Sequence, residues 1–233
     1  MAGVDSPVEA APRNWLAPRP AAPEHVGTVV RQAPGNRVSD AVRTAAPAVG
    51  PPSVAAPNLA ALAEAVASFA HPLRRVEIGA QLFTANADAG IIILCEQPEA
   101  ADSPAARLRS RMLAAIGLDG ENCALLHRLP WPTTGGRAPR AEELAAFAPF
   151  VARALELVRP RAMLALGQTA AALAGEPMAL ASARGRWADV MVGDRAVPLL
   201  ATSSPRLLLA QPLRKREAWA DLQAFAARMT HAA

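Results

Sequence analysis

A chain of 233 residues with 52% hydrophobic side chains, much of that alanine, and 4% aromatics without a single tyrosine excludes wholesale disorder; it predicts one domain plus an appendage, its core made of small-residue helix faces on a few aliphatic strands. The 24 Lys and Arg against 20 Asp and Glu leave a net charge of +4, and Lys215 is the sole lysine; so small a surplus points only weakly to a polyanionic partner, and the arginine dominance reads as compositional bias. Two cysteines, Cys95 and Cys123, exclude a disulfide framework and a four-thiolate metal site, and the lack of any long apolar run or secretory leader pattern predicts a cytoplasmic protein with no membrane segment.

Residues 1–57 carry ten prolines, from Pro7 to Pro57. Each removes a backbone donor and constrains its neighbour, so the segment reads as a disordered Ala/Pro-rich arm, with a transiently helical island at 38–42. A folded domain is expected over 58–233. Asn58 caps a predicted helix running to residue 69, with Leu59, Leu62, Val66 and Phe69 on one face. Residues 91–95, Ile-Ile-Ile-Leu-Cys, form an apolar β-branched run expected of a central parallel strand. A helix follows over 104–116, closed by Gly117. A second strand is predicted over 124–129, ended by Pro130, and a turn-rich loop leads to a helix over 141–158. A third strand (162–166), a helix (168–173), an irregular or hairpin excursion (184–192), a fourth strand (197–201) and a last amphipathic helix (213–229) complete the chain. This alternation predicts an α/β fold: three α/β/α layers around a mostly parallel four-stranded sheet.

Ligands in such sheets bind outside the carboxyl ends of the strands, which singles out four segments. Glu96, with Gln97 and Pro98, follows the first long strand and is placed for a general base or an electrostatic stabiliser; the plain alternative is a solvated loop acid. His127 ends the second strand and either donates to a ligand or is a satisfied structural histidine. Residues 167–169, Gly-Gln-Thr, form a strand-to-helix turn whose amides could hold an anion, or a close packing point. Ser203, Ser204, Pro205 and Arg206 lead through a leucine run to Arg214, Lys215 and Arg216, cations that suit a phosphate backbone if they are more than a solvated charge run.

The stretch from Phe69 onward resembles the uracil-DNA glycosylase superfamily, nearest to its family 4 branch. The resemblance is carried by residues 112–118 (Met-Leu-Ala-Ala-Ile-Gly-Leu), by Leu129-Pro130-Trp131 before the Gly135-Gly136-Arg137 loop, and by Glu142-Glu143-Leu144 and Pro149-Phe150. It continues through Val158-Arg159-Pro160, residues 164–167 (Leu-Ala-Leu-Gly), residues 184–187 (Arg-Gly-Arg-Trp), Gln211-Pro212, Lys215-Arg216, Trp219 and Asp221-Leu222. Residues 2–5 and 13–16 also look like the start of bacterial members. The resemblance implies that a deoxyuridine is flipped into a pocket and its glycosidic bond broken through an oxocarbenium-like state. A Gly-Glu-x-Pro-Gly carboxylate would aid water or the sugar cation. A His-Pro-Ser/Ala histidine would stabilise the leaving base, an aromatic ring would stack on it, and an asparagine would read its edge.

This chain departs from that pattern at most of those points. Residues 95–99, Cys-Glu-Gln-Pro-Glu, keep Glu96 and Pro98 but replace both glycines, and Glu99 puts a bulky anion where the backbone should pass close to a ligand. No aromatic lies between Phe83 and Trp131, so the stacking ring is missing. His127 stands at the expected asparagine, Ser204 at the expected histidine, and Ala210 at an arginine. The family 4 iron–sulfur ligand positions fall near His71 and at Trp131 and Phe147, so no cofactor is expected. The resemblance therefore implies a DNA-repair-related protein with lost or strongly reduced uracil excision, monomeric and binding DNA or a repair protein. The alternative is an active glycosylase of altered base preference using Glu96 and His127.

Overall fold

The structure is a computed structural model and describes residues 54–84, 90–168 and 180–231. Helix α1 (Leu59–Ser68) starts where Asn58 Oδ1 accepts from Ala61 N, as its capping chemistry predicts. The short β1 (Phe83–Thr84) precedes β2 (Ile91–Cys95), every residue of which is buried. In α2 (Pro104–Ala114), Ser103 caps the first turn and Pro104 begins it, and the chain turns out of the helix through Gly117 at φ +73°. β3 spans Cys123–His127, α3 Ala141–Val158 and β4 Ala162–Leu166. A single turn, α4 (Leu180–Ala183), leads to the hairpin of β5 (Trp187–Val192) and β6 (Arg195–Thr202). Helix α5 (Pro205–Ala210), a 3-10 turn at Pro212–Arg214 and α6 (Lys215–His231) end the fold.

Among the described residues the sheet has six strands in the order β1-β3-β2-β4-β6-β5. Its four central strands, β3, β2, β4 and β6, are parallel, and antiparallel β1 and β5 are added at the two edges. The four-stranded expectation thus describes the parallel centre. The extra edges escaped it because β1 has two residues, too few for a periodic signal, and β5 belongs to the excursion over 184–192. β3 stops at His127 rather than at residue 129, although Arg128 N and Leu129 N still donate to the carbonyls of Cys95 and Glu96. The predicted loop after β6 contains α5, which Ser204 caps through Leu207 N. The last helix begins at Lys215, two residues later than expected. Of the predicted helix over 168–173 only Gln168 is described, and residues 1–53 with the island at 38–42 lie outside the described residues. The described chain before Asn58 packs on the domain: Ala56 is buried and its carbonyl accepts from Arg153 Nε at 2.8 Å.

Alternate residues of β2 supply two cores. Ile92 and Leu94 face a cluster with Leu62, Val66, Phe147, Val151 and Met163 beneath α1 and α3. Ile91, Ile93 and Cys95 face Met112, Leu113, Leu164, Leu222 and Phe225 beneath α2 and α6. Helices thus cover both faces, giving the three layers. From β2 the chain moves outward to β3, then crosses back over β2 to β4. The order reverses between β2 and β4, so the crevice outside their carboxyl ends is the switch point where a ligand would lie.

Candidate functional site

The end of β2 and the turn after β4 form one wall of this crevice, and the start of α5 forms the other. Cys95, Glu96, Gln97, Glu99, Arg109, Leu166, Ser204, Pro205 and Arg206 line the cleft between them. Five of the predicted residues therefore meet there: Glu96, Gln97, Ser204, Pro205 and Arg206. Gly167, at φ +107°, brings the backbone against Glu96: a Cβ there would sit 2.7 Å from Glu96 Oε1 and 3.2 Å from Ser204 Cβ. Glycine is thus required both by conformation and by space. The Gly167 amide donates to Thr202 O at 3.0 Å, so it serves the chain rather than an anion, and Thr169 lies outside the described residues.

Glu96 is half-buried and has the Arg128 guanidinium as a charge neighbour. Burial lowers the Arg128 pKa, and the Glu96 carboxylate opposes that shift. Gln97 is buried and turned to the loop after β3: Thr133 N donates to its Oε1 at 2.8 Å, and its Nε2 donates to Arg137 O at 3.2 Å. Pro98 is buried beside it. The Cys95 thiol at the cleft is pushed up to about 12 by burial, which removes it as a thiolate nucleophile.

The cleft is closed by its own side chains. Arg206 Nε donates to Glu99 Oε1 at 2.8 Å, and Arg109 Nη1 from α2 donates to Glu99 Oε2 at 3.2 Å. Arg206 Nη1 also donates to Gly136 O at 2.8 Å, tying α5 to the 3-10 turn at Thr134–Gly136. The space left is about 30 Å³, room for a water or two and far below the roughly 300–1,000 Å³ of small-molecule pockets. A pyrimidine ring does not fit without moving Glu99 or Arg206.

His127 is not part of this cleft. It is buried at the end of β3, opposite Cys95, with Nδ1 2.8 Å from Gln81 O. A carbonyl only accepts, so Nδ1 carries the proton. Burial drives its pKa down to about 4; the Gln81 bond opposes this and the Arg109 charge adds to it, so the ring is neutral at pH 7. Ser203 is buried with its hydroxyl lacking a hydrogen-bond partner, while Ser204 is spent on capping α5. Arg214, Lys215 and Arg216 lie away from the cleft. Arg214 Nε donates to Gln211 Oε1, and Lys215 borders an apolar groove with Leu108, Met112, Leu208 and Trp219. Arg109 and Arg128 are the site residues that sequence reasoning missed. Arg109 stands in a run of alternating arginines on α2 that marks none of them out.

The three positions aligned with iron–sulfur ligands meet in space, but as rings. The centroids of His71 and Phe147 lie 4.8 Å apart and those of Trp131 and Phe147 6.0 Å, with Phe69 and Phe150 completing the cluster. Cluster ligation needs thiolates, so these residues do not fit one. Among the described residues no group of three His, Cys, Asp or Glu is placed to hold a metal ion. No helix of the described residues is long and apolar enough to cross a membrane.

No curated protein matches the chain. The family model of the Uracil DNA glycosylase superfamily matches residues 81–223, a stretch that holds all six strands and the whole cleft. The chain belongs to that superfamily.

Proposed function

We propose that this member of the superfamily has lost most or all uracil excision and acts in DNA repair by binding nucleic acid or a repair protein. The observation that carries the reading is the cleft itself, filled by Glu99 between Arg109 and Arg206. Three further features support it. The position where the resemblance expects a leaving-group histidine is Ser204, whose hydroxyl caps α5. His127 is neutral and committed to the Gln81 carbonyl. The described chain between Gly90 and Trp131 holds no Phe, Tyr or Trp to stack on a base. Loss of one donor to a departing anion typically costs ~10²–10³ in rate, and here the stacking ring and the amide reader are missing as well.

An arginine rim stands around the loop after β3: Arg75 donates to Thr134, Arg137 is paired with Glu143, and Arg206, paired with Glu99, is 44% exposed. Such a rim suits the sequence-independent phosphate contacts that dominate nucleic-acid affinity and make it fall with salt. A second reading, excision of another base, is favoured by one observation: Glu96 keeps its place at the switch point beside Gly167.

The test uses one labelled single strand carrying uracil, hypoxanthine or xanthine, read for binding by anisotropy and for excision under single-turnover conditions. The expected result is binding that weakens steeply with salt and little or no abasic product from any base. No binding at low salt would refute the nucleic-acid role. Excision of hypoxanthine or xanthine that is lost in Glu96→Gln would establish the second reading.

A further inference from the structure

We infer that Arg109 and Arg206 form a phosphate-binding site that Glu99 occupies as a tethered internal anion. The inference deepens the nucleic-acid reading by naming the atoms that would receive a phosphate, and it rests on that reading only for the identity of the polymer.

The Glu99 carboxylate is 8% exposed and takes one guanidinium on each oxygen, Arg206 on Oε1 and Arg109 on Oε2. The two arginines come from different elements, α5 and α2, and meet on one carboxylate. Two charged donors spread across two oxygens is the arrangement that receives a carboxylate or a phosphate alike. Arg109 is itself only 12% exposed. Without an anion it would be a nearly buried, uncompensated cation, a costly state that calls for a replacement.

Glu99 is well placed to be exchanged. It lies in irregular chain between β2 and α2, so its side chain can swing outward without breaking a helix or strand. Arg206 is held by that carboxylate and the Gly136 carbonyl. The other cleft carboxylate, Glu96, lies against Gly167 and has Arg128 as a charge neighbour. Removing the Glu99 charge leaves two guanidiniums facing a cleft at the switch point of the sheet, where anionic ligands of such folds bind.

The test titrates inorganic phosphate, at constant ionic strength, into the full chain, Glu99→Ala, Glu99→Gln and the double variant Glu99→Ala with Arg206→Ala. Calorimetry reads the affinity and a thermal melt confirms folding. Glu99→Gln keeps the size of the side chain and decides the matter if Glu99→Ala does not fold. Both single variants are expected to bind phosphate about ten-fold or more tighter than the parent, the scale of a charge-assisted contact, and the double variant to lose the gain. Folded single variants with parent-like affinity would overturn the site, as would a gain that survives loss of Arg206. A second arm with a short oligothymidine separates the sources: a matching gain identifies a backbone phosphodiester, and a gain with inorganic phosphate alone identifies a terminal or free phosphate. A parent that binds no nucleic acid while Glu99→Gln gains phosphate would sink the nucleic-acid reading and leave this site standing.

Discussion

Acidification should destabilise this protein through His127 before it affects most carboxylates. The ring is buried and neutral, its pKa moved from the usual 6.5 to about 4. In the unfolded chain it protonates normally. A histidine with a lowered folded pKa contributes stability that is fully present above about pH 6.5 and is lost as the pH falls toward 4, because the unfolded state binds the proton first. The full difference is about 3 kcal/mol, and about 2 kcal/mol of it is gone by pH 5. His127→Asn keeps a donor where Nδ1 meets the Gln81 carbonyl but cannot titrate. Urea unfolding of both chains at pH 7 and pH 5, followed by tryptophan fluorescence, should show the parent losing about 2 kcal/mol more than the variant over that interval. Glu143 and Asp221 also have shifted pKa values, but they titrate in both chains and cancel in the comparison. Equal losses in the two chains would refute the neutral, buried assignment of His127 and return it to the list of groups able to carry a charge toward a ligand.

Two further outcomes follow from contacts at the edges of the domain. Glu143 accepts from Arg137 through both oxygens and from Arg140 N, and these bonds hold its pKa at about 2. Glu143→Gln should cost about 1–2 kcal/mol at pH 7. The parent's advantage should fade as the pH drops below the usual carboxylate range toward 2, measured by denaturant melts at pH 7 and pH 3. A chain beginning at Ser53 should melt close to full length, whereas one beginning at Asn58 loses the buried Ala56 and the acceptor of Arg153; a loss of about 1 kcal/mol lowers its calorimetric midpoint by about 3 °C.

The elements legible in the sequence are those whose signals are local. The apolar run of β2, the Asn58 cap of α1, the Ser103-Pro104 start of α2 and the length of α3 can all be read within a few residues. The edge strand β1 could not, because two residues carry no period and only the Phe83–Leu126 register gives them a partner. In α5 the signal is present but ambiguous, since a serine before a proline marks a helix cap as well as a binding loop. The site divides in the same way. Glu96 is placed by the end of its strand, and Glu99 stands out as a bulky anion where the resemblance expects glycine. What Glu99 does depends on Arg206, 107 residues on, and His127 is tied to a carbonyl 46 residues away. No local pattern couples positions so far apart; only the order of the strands brings them together.

The cleft beside Glu96 is closed by the protein's own Glu99 and Arg206, and we propose that it does not process uracil. Single-turnover incubation of the full chain with a uracil-containing single strand, scored for abasic sites, tests it most directly. Product at or barely above the level without protein is expected, in parent and Glu96→Gln alike. Rapid excision by the parent that disappears in Glu96→Gln would contradict it.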